Sequence, residues 1–286
     1  MERIGAQQHS VAVVTGATSG IGRSVAHELA GAGWTVLVHG RAPERVRATI
    51  GSAGELPGRL IPVVADLETL AGVGELAAQV RAAAPEGVDV LVNNAGAAFD
   101  RYGLTVDGVE RTMAVNHLAV AGLTFALEPA LTGRGSLPRV IMVTSFLERG
   151  ARPAAEWTLS SGWTQMGAYR TSKLVDLAFT YALAREWAGR ADVLAVDPGS
   201  VRTGFQRRAG GPLRLIGVLG KPFMAGPERS ARTILAAATA LPGHPTGSYL
   251  RAGASGRGDS SALSRDPDFQ REVFAETRRH LGLAPS

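Results

Sequence analysis

Cysteine is absent from this chain of 286 residues, and lysine occurs only at Lys173 and Lys221. Without cysteine there are no disulfides, thiolate nucleophiles, iron–sulfur clusters or cysteine-ligated zinc sites, and no other metal site is predicted. No apolar run approaches the roughly 20 residues that a membrane-spanning helix needs. Met1 to Ser10 also lack the apolar segment of a signal peptide. We therefore expect a cytoplasmic protein without a membrane span.

Charge clusters of the kind that bind nucleic acid are also lacking. The chain has 30 basic and 25 acidic residues, a formal net charge of +5, and its only tight basic cluster is Arg207, Arg208 and Arg214. Nucleic-acid surfaces carry basic stripes with aromatic side chains between them. An arginine-rich composition accounts for the charge, so nucleic acid is not predicted as a partner.

Short β-branched runs alternate with longer helical patterns along the chain. This alternation is typical of strand–helix–strand units, and runs that are apolar throughout are typical of strands covered on both faces of a parallel sheet. The predicted strands are Val11–Thr15, Thr35–His39, Leu60–Val64, Val88–Asn93, Arg139–Ser145, Val193–Val196 and Ser248–Leu250. The predicted helices are Arg23–Ala32, Ala42–Ile50, Leu70–Ala84, Val109–Leu131, Tyr169–Ala188 and Glu228–Ala240.

The predicted fold class is α/β. A single Rossmann-type domain over residues 1–286 would contain a doubly wound parallel sheet of about seven strands in the order 3-2-1-4-5-6-7, with helices on both faces. Pro62 cannot donate to a strand ladder, which favours the edge position that this order gives the third strand.

Two segments fall outside the alternation. The apolar, glycine- and proline-rich stretch from Gly204 to Gly226 is interpreted as a substrate lid, with an oligomer contact as the alternative. Near the end of the chain, Asp266 and Pro267 begin a helix that extends to about residue 281 and carries one apolar stripe. We interpret it as a packing helix.

The first predicted strand runs into a glycine-rich turn, Gly16–Gly22, and then into a helix. Glycine permits a tight turn and close backbone approach to a pyrophosphate, and the helix N-terminus offers unpaired N–H groups to the anion. The sequence therefore predicts a dinucleotide site. Arg41 follows the second strand, where no acidic residue stands, and a guanidinium can bind a 2′-phosphate through two hydrogen bonds. NADP(H) is therefore predicted over NAD(H).

Tyr169 and Lys173 lie one helical turn apart, so their phenol and ammonium groups can converge on one face. A neighbouring cation lowers the pKa of a phenol, which suits it to general acid–base catalysis. Ser145 ends a predicted strand, where a hydroxyl points into the ligand crevice of a parallel sheet. Asn116 is an amide within an apolar helical pattern and must find partners.

Together these motifs resemble the short-chain dehydrogenase/reductase family over nearly the whole chain, and within it the retinol-dehydrogenase-like branch. The family resemblance rests on T-G-x-x-x-G-I-G, Asp66-Leu67, N-N-A-G, Asn116, Ser145, Tyr169-x-x-x-Lys173 and Asp197-Pro198-Gly199. The branch resemblance rests on Asp107–His117, Ser172–Leu174, the step from Ser145 to Tyr169 and Asp266–Phe274.

The resemblance implies a role for each catalytic residue. Tyr169 would be the acid/base, Lys173 would lower its pKa and bind the nicotinamide ribose, Ser145 would orient the substrate oxygen, and Asn116 would hold a relay water. The implied cofactor residues are Gly16, Thr18, Ser19, Gly20, Ile21, Gly22, Arg41, Asp66, Leu67, Asn93, Ala95, Gly96, Tyr169, Lys173, Pro198, Gly199, Val201 and Thr203.

The predicted activity is NADP(H)-dependent interconversion of a carbonyl and an alcohol, with reduction of a hydrophobic ketone or aldehyde as the expected direction. The predicted substrate-site residues are Phe99, Phe146, Trp157, Trp163 and Phe205, although core or interface packing is the alternative for both tryptophans. Two other functions stay open: a cyclase, dehydratase or epimerase that reuses the same acid/base, and a non-catalytic NADP(H)-sensing protein. Homo-oligomer formation is also left open.

Overall fold

The computed structural model of the protein describes residues 10–133, 137–153, 156–199, 226–240, 244–252 and 259–284. The predicted lid, residues 204–226, lies outside these ranges except for Gly226. Three predicted site residues, Val201, Thr203 and Phe205, also lie outside them.

Seven parallel strands form one sheet in the order β3-β2-β1-β4-β5-β6-β7, which confirms the predicted fold class. Pro62 lies opposite Val38 in the edge strand β3, where a missing N–H on the open side leaves no neighbouring carbonyl unpaired. The strands are β1 (Val11–Val14), β2 (Thr35–Gly40), β3 (Arg59–Val64), β4 (Val90–Asn93), β5 (Arg139–Val143), β6 (Asp192–Asp197) and β7 (Tyr249–Arg251).

Helices cover both faces of the sheet, so the central strands β1, β4 and β5 are buried along their whole length. The helices are α1 (Gly20–Gly31), α2 (Pro43–Gly51), α3 (Leu70–Ala83), α4 (Arg111–Met113), α5 (Ala119–Leu127), α6 (Gln165–Glu186), α7 (Pro227–Thr239), α8 (Ala262–Arg265) and α9 (Pro267–His280). One apolar core lies between the sheet and α1 with α7. The other lies between the sheet and α3, α5, α6 and α9.

The helix predicted over Val109–Leu131 is present from Arg111 to Ala130, but it is not a uniform α-helix. The Glu110 side chain accepts a hydrogen bond from the Met113 N–H and caps α4, and a π-helical turn, Ala114–Leu118, then separates α4 from α5. Pro129 lacks an N–H, and the segment ends as a 3₁₀ turn, Glu128–Ala130. The π turn matters for the site because it contains Asn116 and His117.

Helix α6 begins four residues before its predicted start at Tyr169. Thr164 is the N-cap, and its hydroxyl accepts a hydrogen bond from the Gly167 N–H at 3.0 Å. Tyr169 and Lys173 therefore lie within the hydrogen-bonded part of α6, with helical turns before and after them. The helix backbone thus fixes the two residues relative to each other.

The C-terminal helix α9 begins where the sequence predicted. Asp266 caps it by accepting hydrogen bonds from the N–H groups of Asp268 and Phe269. Its apolar stripe packs on α6, with the ring of Phe274 stacked on that of Phe179 at 5.7 Å. Within the described ranges, no helix is both long and apolar enough to cross a membrane.

Candidate active site

A cleft of about 670 Å³ runs along the carboxyl ends of the strands. It brings together most of the predicted cofactor residues, three of the four predicted catalytic residues and two of the predicted substrate residues. These are Gly16, Thr18, Ser19, Gly20, Ile21, Gly22, Arg41, Asp66, Leu67, Ala95, Gly96, Ser145, Tyr169, Lys173, Pro198, Gly199, Phe99 and Phe146.

The glycine-rich turn after β1 is shaped for close backbone approach. Gly16 has a φ of +65°, and a Cβ on Gly22 would lie 2.4 Å from Asn94 Nδ2 and 2.7 Å from the Gly16 carbonyl oxygen. The turn can therefore hold only glycine at these two positions without shifting its neighbours. It leaves the N-terminus of α1 open to the cleft, which fits the pyrophosphate of a dinucleotide.

The loop after β4 is tied to this turn by Thr15 and Asn94. The Thr15 hydroxyl oxygen accepts hydrogen bonds from the N–H groups of Asn94 and Ala95, both at 2.9 Å. The Asn94 side chain donates to the Thr15 carbonyl oxygen at 2.8 Å. Asn94 also lines the cleft. The sequence analysis did not single out this second asparagine of the N-N-A-G motif, yet it is the one that holds the glycine-rich turn in place.

His39 is a further residue that sequence reasoning missed. Its Nδ1 accepts a hydrogen bond from the Gly16 N–H at 3.2 Å, and its Nε2 donates to the Ala65 carbonyl oxygen at 3.2 Å. Burial lowers the pKa of His39 to about 4, against the opposing effects of the Ala65 bond and Asp66. The imidazole is therefore neutral at pH 7, which this pair of hydrogen bonds requires.

Charged residues surround the end of the cleft next to β2 and β3. Arg41 is exposed on the cleft wall, and Arg45 on α2 lines the same end. Asp66 also lines the cleft, and its Oδ1 accepts a hydrogen bond from the Glu68 N–H at 3.1 Å. The Asp66 side chain thus stabilises the turn that follows β3. Its contact with adenine stays a prediction.

Tyr169 lies on the wall of the cleft, and its phenol is hydrogen-bonded to the Ser145 hydroxyl. Burial, with a smaller contribution from the nearby carboxylates of Asp197 and Asp176, raises the pKa of Tyr169 to about 12 against the lowering effect of the Ser145 bond. The lowering effect comes from Ser145 and not from Lys173, which we had expected to supply it. In this structure the phenol holds its proton at neutral pH, which suits it to act as an acid.

Lys173 points back from the cleft toward the sheet. Its Nζ donates a hydrogen bond to the Val143 carbonyl oxygen at 2.7 Å and lies 3.6 Å from Asp176 Oδ2. The ammonium is therefore held from behind by strand β5 and by its own helix, within one helical turn of the Tyr169 phenol.

Asn116 is fully buried behind the cleft. Its Oδ1 accepts a hydrogen bond from the Ala97 N–H at 2.7 Å, and its Nδ2 donates to the Ala97 carbonyl oxygen at 2.9 Å and to Ser172 Oγ at 3.0 Å. The amide thus fastens the loop after β4 to α6, and its role in holding a relay water stays a prediction.

Asp197, which the sequence analysis used only as part of a motif, organises the opposite end of the cleft. Its carboxylate accepts hydrogen bonds from the N–H groups of Phe146 and Gly199 and from the Tyr249 hydroxyl. Arg251 lies 3.4 Å away. Burial raises the pKa of Asp197 against these bonds. The side chain joins the ends of β5, β6 and β7 at the place where Pro198 and Gly199 meet the cleft.

Comparison with known proteins identifies the family. The short chain dehydrogenase family model matches residues 10–211 of the chain. The chain belongs to the short-chain dehydrogenase family. A polyprenol dehydrogenase from Mus musculus is 36% identical over 292 residues, which cover 96% of this chain and 85% of that protein.

Further relatives agree with this assignment. Retinol dehydrogenase 14 from Mus musculus is 31% identical over 239 residues, which cover 77% of this chain and 71% of that protein. The solved RhlG/NADP active-site complex from Pseudomonas aeruginosa is 26% identical with a TM-score of 0.69 and covers 88% of this chain and 97% of that one.

Besides Asn116, three predicted site residues of this short-chain dehydrogenase do not line the cleft. The buried Asn93 side chain donates instead to Thr124 Oγ1 and Met142 Sδ, because alternate residues of a strand face opposite sides of the sheet. Trp157 is buried between the rings of His117 and His280. Trp163 donates from Nε1 to Glu110 Oε1 at 3.2 Å. The alternative interpretation of the tryptophans as packing residues is the one that the structure supports.

Phe99 and Phe146 do line the cleft, and each is covered by an arginine. Arg111 Cζ lies 3.8 Å from the centre of the Phe99 ring, and Arg251 Cζ lies 5.2 Å from that of Phe146. Arg111 is itself held by Glu68 through two hydrogen bonds. These contacts fix the rings as apolar walls of the cleft in this short-chain dehydrogenase.

Proposed function

We propose that this short-chain dehydrogenase interconverts a hydrophobic carbonyl compound and its alcohol, with NADP(H) as the hydride carrier. The observation that carries the proposal is the half-buried Tyr169 phenol, hydrogen-bonded to Ser145 on the wall of the cleft, with Lys173 one turn further along the same helix. The opposite end of that cleft offers a glycine turn and Arg41, which suit a phosphorylated dinucleotide.

The chain's own residues supply the proton and the orientation. The nicotinamide, when bound, supplies or accepts the hydride. In the direction of reduction, Tyr169 Oη donates its proton to the carbonyl oxygen of the substrate, and Ser145 Oγ orients that oxygen. The raised pKa of Tyr169 keeps this proton available through neutral pH. In the reverse direction the phenolate is needed, so alcohol oxidation rises with pH.

The substrate proposed is an apolar molecule. Phe99 and Phe146 form the walls of the cleft near Tyr169, and the two curated relatives described above are named for polyprenol and retinol, which are apolar alcohols. Preference for NADP(H) is supported by Arg41 on the cleft wall and by the NADP complex of the Pseudomonas aeruginosa relative.

The test is turnover with a matched pair of tyrosine variants. Purified protein is mixed with NADPH and a panel of isoprenoid aldehydes, aromatic ketones and quinones, and the loss of reduced cofactor is followed by absorbance. We expect Tyr169→Phe to lower turnover by roughly 100-fold or more with NADPH binding retained. Tyr181→Phe, which removes a hydroxyl bonded to Ser260 away from the cleft, should leave turnover unchanged.

Other outcomes would point elsewhere. Product formed without net oxidation of NADPH would favour a cyclase, dehydratase or epimerase that uses the same acid/base. Tight NADPH binding without turnover of any compound in the panel would favour a sensing protein. Equal turnover by the wild type and Tyr169→Phe would remove the phenol from the mechanism.

A further inference from the structure

A buried carboxylate stands behind the Tyr169–Lys173 pair. Asp176 lies one turn beyond Lys173 on α6, and its Oδ2 is 3.6 Å from the lysine Nζ. The side chains are 6% and 1% exposed for the lysine and the aspartate. Burial penalises an ammonium group, and an opposite charge at this distance offsets the penalty. Asp176 is therefore placed to keep Lys173 protonated.

The remaining groups that face Asp176 do not replace this lysine as its partner. His117, on the π turn, places Nδ1 3.8 Å from Asp176 Oδ1, and neither atom has a hydrogen-bond partner within 3.5 Å among the described residues. His117 Nε2 lies 2.9 Å from Thr277 Oγ1 on α9. Burial lowers the pKa of His117, so its imidazole is neutral at pH 7. On α9, the pKa of His280 is lowered by burial and responds to Glu276, Arg279 and His117 but not to Asp176.

We propose that Asp176 is a positioning residue for the reaction, the buried counter-ion that holds the Lys173 ammonium charged and in place behind Tyr169. The carboxylate acts on the reacting atoms only through the lysine. A buried carboxylate lowers the stability of the fold unless its charge is paired, and Lys173 supplies that pairing for Asp176. The catalytic consequence rests on the proposed function, whereas the pairing of Lys173 with Asp176 does not.

Loss of the carboxylate should lower the pKa of both Lys173 and Tyr169. The Lys173 ammonium loses its partner, so it gives up its proton at a lower pH. The Tyr169 phenol loses a nearby anion that opposes its ionisation, so it gives up its proton more readily while the lysine stays charged. In alcohol oxidation, the rate of Asp176→Asn should therefore stop rising, and then fall, at a pH at which the wild-type rate still rises, because Lys173 loses its charge there.

The composition of the chain allows a direct measurement of the lysine. Protein labelled with ¹³C at lysine Cε should give two side-chain signals, because the chain contains only Lys173 and Lys221. Lys221→Arg removes one of them and assigns the other. In that background, we expect Asp176→Asn to lower the titration midpoint of the Lys173 signal by roughly one to three pH units.

The matched control is Asp192→Asn. Asp192 lies at the start of β6, at the end of the sheet opposite the cleft, where its carboxylate is 4.0 Å from Arg139. This change should leave the Lys173 titration where it was. An unchanged midpoint in Asp176→Asn would overturn the proposal. If Asp176→Asn does not fold by circular dichroism, Asp176→Ser removes the same charge and serves in its place.

Turnover gives the second measurement. A bell-shaped profile of kcat for alcohol oxidation in Asp176→Asn, with the wild-type shape restored by Asp176→Glu, is expected. A uniform fall in kcat at every pH with no change of shape would show a structural role only and would overturn the proposal. If the protein turns over no alcohol, the NMR titration still decides the pairing, so failure of the proposed function and failure of this inference are distinguishable.

Discussion

Arg41 stands exposed on the cleft wall next to the end of β2, where a 2′-phosphate of a bound dinucleotide would be recognised. Arg41→Ala should weaken NADPH binding by about 10- to 100-fold, because a hydrogen bond to a charged group contributes about 1.5–3 kcal/mol. NADH binding should change little. Fluorescence titration of both cofactors measures the ratio, and Arg47→Ala, on the exposed face of α2 away from the cleft, is the control. Equal losses for NADPH and NADH would contradict the assignment of Arg41.

His39 makes the stability of the fold depend on pH. Its folded-state pKa of about 4 lies below the ordinary value of 6.5, so the unfolded chain binds a proton that the folded protein does not. The stabilisation is complete above pH 6.5 and is lost as the pH falls toward 4, by about 3 kcal/mol in all.

Urea unfolding above pH 6.5 and near pH 4 measures this loss, and His39→Asn should reduce it because asparagine keeps an acceptor but does not titrate. His27→Asn, at a half-buried histidine of α1, is the control and should keep the wild-type dependence. The same loss in His39→Asn as in the wild type would show that the proton binds elsewhere.

At the residue scale, functional groups could be predicted from the sequence where their contact depends only on their spacing along the chain. Tyr169 and Lys173 are one turn apart on a helix, so their convergence could be predicted. His39 and Asp176 could not be found in this way. The role of His39 depends on Ala65 at the end of the next strand, and that of Asp176 depends on burial, neither of which has a local sequence signal.

The turn between β1 and α1 is an element in which a single methyl group should matter. Gly22→Ala would bring a Cβ within 2.7 Å of the Gly16 backbone oxygen, so the turn must shift. We expect NADPH affinity to fall by at least about 10-fold, since the turn provides the close backbone approach to the pyrophosphate. Gly31→Ala, in the same helix with nothing within 4 Å, is the matched control and should stabilise the protein by up to about 1 kcal/mol.

Cofactor binding and thermal unfolding of both alanine variants separate the two effects. Retained affinity in Gly22→Ala would mean that the turn adapts and that its tight packing is not needed for the cofactor.

At the element scale, the errors of prediction have local causes. The break at Pro129 had a residue-type signal, because proline cannot continue a helix with a full set of hydrogen bonds. The π turn at Ala114–Leu118 had none, because the residues around it are apolar and buried on nearly every face, so the rotation that one extra residue causes does not show in the pattern. The early start of α6 depends on the Thr164 cap, a common residue type whose role shows only in its bond to Gly167.

At the scale of the whole molecule, strand order was predictable because apolar strands alternating with helices in a parallel sheet leave few arrangements. The contact of α9 with α6 was not, because an apolar stripe shows that a helix packs but not on what. This contact brings Thr277 and His280 of α9 to the side of α6 that carries Asp176, so the end of the chain is part of the support behind the site.

Phe274 is the anchor of that support, with its ring on those of Phe179 and Phe125 and only 6% of the residue exposed. Phe274→Ala should lower the free energy of unfolding by about 3–5 kcal/mol through the cavity that it leaves. Leu283→Ala, at a residue 37% exposed, should cost less than about 0.5 kcal/mol. Trp157 lies beside α9, so tryptophan fluorescence reports on this helix, whereas circular dichroism reports on the whole fold. If α9 and the sheet form one cooperative unit, the two signals will give one urea midpoint within each variant. Separate midpoints in Phe274→Ala would mean that α9 detaches before the sheet unfolds, and the support behind Lys173 could then be lost while the fold persists.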